Sequence, residues 1–457
     1  MSPPRFHETP TARKRSRRSA AATPGASTGT SSPLWPSLPG NLLRLVSWRV
    51  LAGDLMDYVR LRAVCTSWRS DTVCPRGRGV GDPRFHPRRW MMLPEGHGIH
   101  PGHTKLGGRV RFLNLDTGAF VRAKIPLFNN HCALDSVDGL LLLQRDEDTA
   151  VRLLHPFTGD IAELPPLSTL HTQLERNLDR LPEQDRWFYI RYGICAAASF
   201  TSGVCTGMLL FHRLRQLAFA TSHDRQWTMA SWAVPPCIEP FSFRGKLYLV
   251  RNPTLTGATQ VLQIDPPPLQ DEAGELGSRQ PPLPELIATC PADILSYPAY
   301  LVECDSEILV VGHTDRSFSH ILVYKLADLM LGRFVSVTSI GDHALFIDER
   351  TLYVSSKALP TIMADSIVYR KIKSREFAQY HLRSSTWSQP VDKCALRGYD
   401  PGPRCLIHHI ITCLLRSVWN KGLFYSEKEL MKRGWLLWKV KKKFRHWVNF
   451  AHQLILC

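Results

Sequence analysis

Apolar and polar positions change their rhythm several times along this chain. No period holds over residues 1–33, which are rich in Ser, Thr, Pro and Arg, so a disordered basic head is expected there. From 34 to 70 the rhythm is helical. Leu42, Leu43, Val46 and Val50 fall on one stripe about 100° wide. Pro39 suits a first helical turn. Asp54 is placed to cap a second short helix, with Asp57 in its first turn. Leu61, Val64, Cys65 and Trp68 stand at i, i+3, i+4 and i+7, which predicts a third helix carrying one apolar stripe. Three helices in so short a span bury little apolar surface. A unit of that size gains stability by packing on something else, so it reads as a docking element.

Residues 71–87 are basic and rich in Gly and Pro, and read as a linker. From 88 to 425 the rhythm is that of strands. Arg109 to Leu115 leads through Asp116-Thr117-Gly118 into Ala119 to Ile125. Val151 to Leu154 leads through His155-Pro156-Phe157-Thr158-Gly159 into Ile161 to Leu164. The two Thr-Gly pairs lie 41 residues apart (158 − 117), within the ~40–50-residue spacing of propeller blades. Further short strands are predicted at Met208–Phe211, Lys246–Val250, Val261–Ile264, Ile308–Val311, Ile321–Tyr324, Leu352–Val354, Ser366–Tyr369 and Gln379–Leu382. Such density, with almost no long helix, points to a sandwich or a propeller, and the length favours a propeller. Polar residues 168–187 predict a helical insertion, and Pro- and acid-rich 265–286 a long exposed loop. Both are surface insertions of the kind that carry recognition on a propeller face.

The charge changes the picture mainly at the ends. Fifty-seven Lys and Arg against 40 Asp and Glu leave +17, which favours acidic partners, anionic membranes or nucleic acid. One cluster is Arg13 to Arg18; another is Lys439, Lys441, Lys442, Lys443 and Arg445. In the 426–457 tail, Leu436, Leu437, Val440, Phe444, Trp447, Val448, Ala451 and Leu454 form a broad helical stripe beside that second cluster. Such a tail either packs on the propeller or makes weak contact with an anionic surface. The 12 cysteines include no C-x-x-C pair, and no apolar h-region or membrane-length stretch occurs, so a nuclear or cytoplasmic protein with reduced thiols is expected.

Catalytic signatures are missing. There is no phosphate-binding loop of Walker type and no nucleophile elbow. His97, His100 and His103 are spaced three apart, but Gly96, Gly98, Pro101 and Gly102 oppose the helix that would make them converge. Glu303, Asp305 and Glu307 alternate along an expected strand and would share one face. No enzyme activity, cofactor or metal is expected.

Leu38-Pro39, Leu42-Leu43, Asp54 and Arg62-Ala63-Val64-Cys65, followed by Trp68-Arg69, together resemble an F-box. Asp138-Gly139-Leu140-Leu141-Leu142, His155-Pro156 with Thr158-Gly159, Phe243-Arg244-Gly245-Lys246-Leu247-Tyr248, Gly341 to Phe346 and Ser366 to Tyr369 are similar to plant F-box proteins, of grass type, carrying a plant-specific β-propeller of unknown function. The resemblance covers residues 35–425 and implies a mainly β chain: a three-helix F-box followed by a kelch-like propeller, though without a regular kelch signature. It implies docking to a Skp1-type adaptor, and through it a cullin-RING ubiquitin ligase, with the propeller holding an unknown target protein. Leu38, Pro39, Leu42, Leu43, Val64, Cys65 and Trp68 would then face the adaptor or form the module's own small core. The competing reading is a basic nucleic-acid- or membrane-associated protein acting through its tails.

Overall fold

The computed structural model describes residues 38–93, 106–170, 173–174, 190–191, 193–253, 257–268, 280–313, 319–359, 362–370, 377–388, 410 and 413–414. The basic head, the histidines at 97, 100 and 103, most of the 168–187 insertion and the 426–457 tail lie outside the described residues.

Three helices open the chain: α1 (Gly40–Gly53), α2 (Leu55–Arg62) and α3 (Thr66–Asp71). Six small sheets follow, one after another. Blade 1 holds β1 (Trp90–Leu93), β2 (Arg109–Asn114) and β3 (Phe120–Lys124). Blade 2 holds β4 (His131–Val137), β5 (Leu140–Arg145), β6 (Val151–Leu154) and β7 (Ile161–Leu164). Blade 3 holds β8 (Ile194–Thr201), β9 (Val204–Phe211), β10 (Gln216–Thr221) and β11 (Thr228–Met229). Blade 4 holds β12 (Phe241–Phe243), β13 (Lys246–Arg251), β14 (Thr259–Ile264) and β15 (Glu285–Cys290). Blade 5 holds β16 (Ser296–Cys304), β17 (Glu307–His313) and β18 (Ile321–Lys325), with a short α4 (Leu326–Met330) packed across to β15. Blade 6 holds β19 (His343–Ile347), β20 (Thr351–Ser355), β21 (Ser366–Arg370), β22 (Phe377–His381) and β23 (Thr386–Ser388). Neighbouring strands are antiparallel except for the parallel pair β19 and β21.

The ring closes because each blade is apolar on both faces. Strand side chains alternate between faces, and in β9 Leu209 and Phe211 pack toward blade 2 while Met208 and Leu210 pack toward blade 4. Each adjacent pair of blades shares one buried cluster, 1 with 2, 2 with 3, and on to 5 with 6. The sixth cluster joins Met91, Leu113 and Leu115 of blade 1 to Phe346, Val354 and Val368 of blade 6, with Ile410, Cys413 and Leu414 added to it. A closed ring leaves no sheet edge at a seam. The mainly β, propeller expectation is met, and the blade number is six. Near the closure Arg350, which precedes β20, makes an ion pair of 2.7 Å with buried Asp135 of β4, whose other oxygen accepts from the Ala196 amide at 2.8 Å.

Four local expectations need correction. Leu61, Val64, Cys65 and Trp68 do not share a helix: α2 ends at Arg62, and Cys65, in extended backbone, caps α3. Glu303, Asp305 and Glu307 do not line one strand; they span the hairpin between β16 and β17, where Cys304 pairs with Glu307. The loop expected over 265–286 ends earlier, because β15 begins at Glu285. Residues 71–87, expected as a linker, connect the two parts as packed chain, with Val80, Phe85 and His86 buried.

Candidate functional site: a helical docking module

The module has one small core. Leu51, Leu55, Tyr58 and Phe85 form it, with Trp48, Val50, Val73 and Phe157 at its border. Trp48 stacks on Tyr58 at 6.4 Å, and the Arg84 guanidinium sits 4.4 Å above the Trp48 ring. Tyr58 donates to the Val73 carbonyl at 2.7 Å, and burial pushes its phenol above the ordinary range despite nearby Arg62. Arg62 ties α2 to the end of α3 through Thr72, donating to its carbonyl and to its hydroxyl at 3.0 Å.

The predicted contact residues separate into two groups. Leu43 is 0% exposed and belongs to the interior. Leu42 and Val46 are 46% and 47% exposed, and Leu45 and Val64 reach 68% and 61%. Pro39 is exposed at the N-cap of α1, and Leu38 is half-buried before it. The Cys65 sulfur accepts from the Trp68 amide at 3.4 Å, an N-cap role. Trp68 is half-buried, with its indole N–H buried and without a partner. Leu45, Val46 and Val59 also stand exposed. A three-helix unit that leaves five aliphatic side chains in water while keeping Leu43 inside has an unpartnered apolar surface.

Two copies of one turn grip this module, 41 residues apart in sequence (155 − 114). In blade 1 the Asn114 side-chain oxygen accepts from Asp116 and Thr117 amides at 2.9 and 3.0 Å, and Gly118 donates back to the Asn114 carbonyl at 2.9 Å. In blade 2 the His155 Nδ1 accepts from Phe157 and Thr158 at 3.2 and 3.0 Å, and Gly159 donates back to His155 at 3.0 Å. Gly118 and Gly159 both have positive φ, 73° and 79°, a conformation glycine adopts without strain. The free side of each capping residue points to the module. Asn114 Nδ2 donates to Asp54 Oδ2 at 2.8 Å, and Trp90 Nε1 donates to the same oxygen at 2.7 Å. His155 Nε2, with Nδ1 occupied as an acceptor, donates to the Phe85 carbonyl at 3.0 Å. Burial lowers the His155 pKa, so the ring is neutral and this tautomer fits both contacts.

Asp54 therefore works twice. Its Oδ1 caps α2 by accepting from Met56 and Asp57 at 2.8 and 3.0 Å, while Oδ2 holds blade 1. The cap was readable in the sequence; the grip was not, because Trp90 and Asn114 lie outside the helical stretch. Asp160 adds a third point, accepting from Gly77 and Gly79 amides at 2.9 and 2.7 Å. Burial would raise its carboxyl, but those amides and Thr158 outweigh it and hold it below the ordinary range.

No helix among the described residues is long and apolar enough to cross a membrane, and no group of described side chains could hold a metal ion. The family model described as the KIB1-4 beta-propeller matches residues 112–382, more than half of the chain. That family comprises plant propellers that act as interaction or substrate-receptor proteins and are not known as enzymes. No curated protein matches the chain.

Proposed function

Since the chain belongs to the KIB1-4 beta-propeller family, we propose that it is a non-catalytic substrate receptor whose helical module is an F-box. The module docks a Skp1-type adaptor and thereby a cullin-RING ligase, and the propeller holds a target protein. Ubiquitin transfer belongs to other subunits, and this chain supplies proximity. One observation carries the reading: Leu42, Leu45, Val46 and Val64 are exposed on a module whose interior is already filled by Leu43, Leu51, Leu55, Tyr58 and Phe85. An aliphatic surface of this kind is where anchors of a protein interface sit. The grip by Asp54 and His155 supports it, because a target held by the ring is then fixed relative to whatever the module binds.

The test is adaptor binding by the full chain. Leu42→Asp leaves the fold intact, since that side chain is half in water, and is expected to lower adaptor affinity at least tenfold; truncated interface anchors cost ~2 kcal/mol or more. Trp68→Ala is expected to weaken binding as well. Wild-type adaptor retention by both variants would refute the F-box assignment.

A further inference from the structure

The ring covers its apolar faces, but its outer rim is uneven. Blades 2, 3 and 4 have four strands each, and blade 6 has five. Blade 5 has three, and beyond them Ser336 forms a bridge with Tyr324 of β18. Blade 1 stops at its third: among the described residues no strand pairs with the outer edge of β3.

The hydrogen bonds at the two ends of the β2–β3 hairpin fix what that edge presents. The Asn114 amide donates to the Ala119 carbonyl at 2.9 Å, and the Ile125 amide to the Gly108 carbonyl at 2.6 Å. Bonded and unbonded residues alternate along an antiparallel pair, so Ala119, Val121, Ala123 and Ile125 face β2. Phe120, Arg122 and Lys124 therefore turn their amides and carbonyls to the outer edge, a template for a further strand. Their side chains are exposed as well.

The same phase sets the charge. Lys124 stands opposite Arg109, Arg122 opposite Arg111 and Phe120 opposite Leu113. These are the unbonded pairs, where side chains come closest, and like charges directly opposite each other destabilise a sheet. The two strands hold four basic residues and no acidic one, and the four basic side chains share one face. Asp116, in the turn between the strands, is bound by Arg89 and does not offset them. A second copy of this edge fits badly, because antiparallel pairing centred on Arg122 sets that residue against its own copy.

We propose that the outer edge of β3 takes up an extended, acidic segment of the target protein as a fourth strand of blade 1. The proposal rests on reading the propeller as the recruiting half of the chain. Neighbouring strands of blade 1 are antiparallel, and the added strand continues that pattern. Its residues facing Lys124 and Arg122 are acidic and the one facing Phe120 is apolar. From its N-terminus the segment reads acid-x-acid-x-apolar. Main-chain bonds supply affinity in this mode, and the alternate side chains supply selectivity.

The full chain, without adaptor, is titrated by fluorescence anisotropy against labelled peptides with neutral flanks. One carries Glu-Thr-Glu-Thr-Leu, a second Gln-Thr-Gln-Thr-Leu, and a third Thr-Glu-Glu-Thr-Leu, whose two acids point to opposite faces. The first is expected to bind roughly fivefold more tightly than either of the others. Methylating the backbone nitrogen of either Glu in the first peptide should cost roughly tenfold, since it removes a donor aimed at β3. Methylating a Thr nitrogen should change little. Lys124→Glu should weaken binding roughly fivefold, and a peptide with Lys in place of its first Glu should restore it. Equal binding of all three peptides, or equal loss on methylation at Glu and at Thr, would overturn the site. So would no binding of any, as when a second copy or another segment of this chain already holds the edge. Adaptor is absent throughout, so each of those results leaves the docking reading standing.

Discussion

The ring and the helical module solve the problem of a small core in opposite ways. Each blade is too thin to hold a core, yet both faces are covered, because a neighbouring blade supplies the missing layer at all six seams. The module has a single cluster of four buried side chains, and one of those, Phe85, comes from beyond its helices. It borrows its support from blades 1 and 2 through Asp54, His155 and Asp160, and still leaves Leu42, Leu45, Val46, Val59 and Val64 in water. A ring that covers its apolar faces is complete by itself, whereas a module that does not is shaped for a further partner.

The largest effect that sharpens this contrast is expected from Asp54→Ala. It removes a helix cap, ~1 kcal/mol, and leaves the Trp90 and Asn114 donors without their acceptor, ~1–3 kcal/mol for each that stays buried. Melting followed by hydrogen exchange should show α1 to α3 opening early while strands of blades 3 to 5 keep their protection. Simultaneous loss of protection throughout would mean that ring and module are one cooperative unit, and the contrast drawn above would fail.

A smaller effect belongs to the ring alone. Asp146, after β5, is pushed up to about 6 by burial, partly opposed by Arg191, and its Oδ1 is buried without a partner. The folded chain thus holds that proton more tightly than the unfolded one, whose carboxyl titrates near the ordinary 3.8. The linkage sign follows: stability from this group is full below that value and is lost as pH rises through about 6. Asp146→Asn should therefore melt higher than wild type at neutral pH, with the gap closing in acid. A gap that is the same at both pH values would assign the effect to packing instead of charge.

Much of the ring was legible because strand alternation is a local signal. Val151–Leu154 and Ile161–Leu164 are β6 and β7 as read, and the Thr-Gly offset marks a true repeat. The blade number was not legible. The turns that set the phase, Asp138-Gly139, Ser202-Gly203, Arg244-Gly245 and Asp305-Ser306, share a backbone conformation but no fixed dipeptide, and insertions space them unevenly. In the module, Leu42 and Leu43 sit on one stripe of the wheel, yet one is outside and the other inside. Adjacent positions are ~100° apart on a helix, so a stripe that wide straddles the boundary between core and surface. Part of the module's core is Phe85, hidden in a Gly- and Pro-rich stretch whose composition reads as linker.

The central claim, that the module's exposed aliphatic surface docks an adaptor while the ring remains available, is tested most directly by hydrogen–deuterium exchange of the full chain with and without a Skp1-type adaptor. The account predicts new protection confined to residues 38–71, strongest around Leu42 to Val46 and Val59 to Val64, with blades 3 to 6 unchanged. Protection that appears in those blades instead, or none anywhere at saturating adaptor, would contradict it.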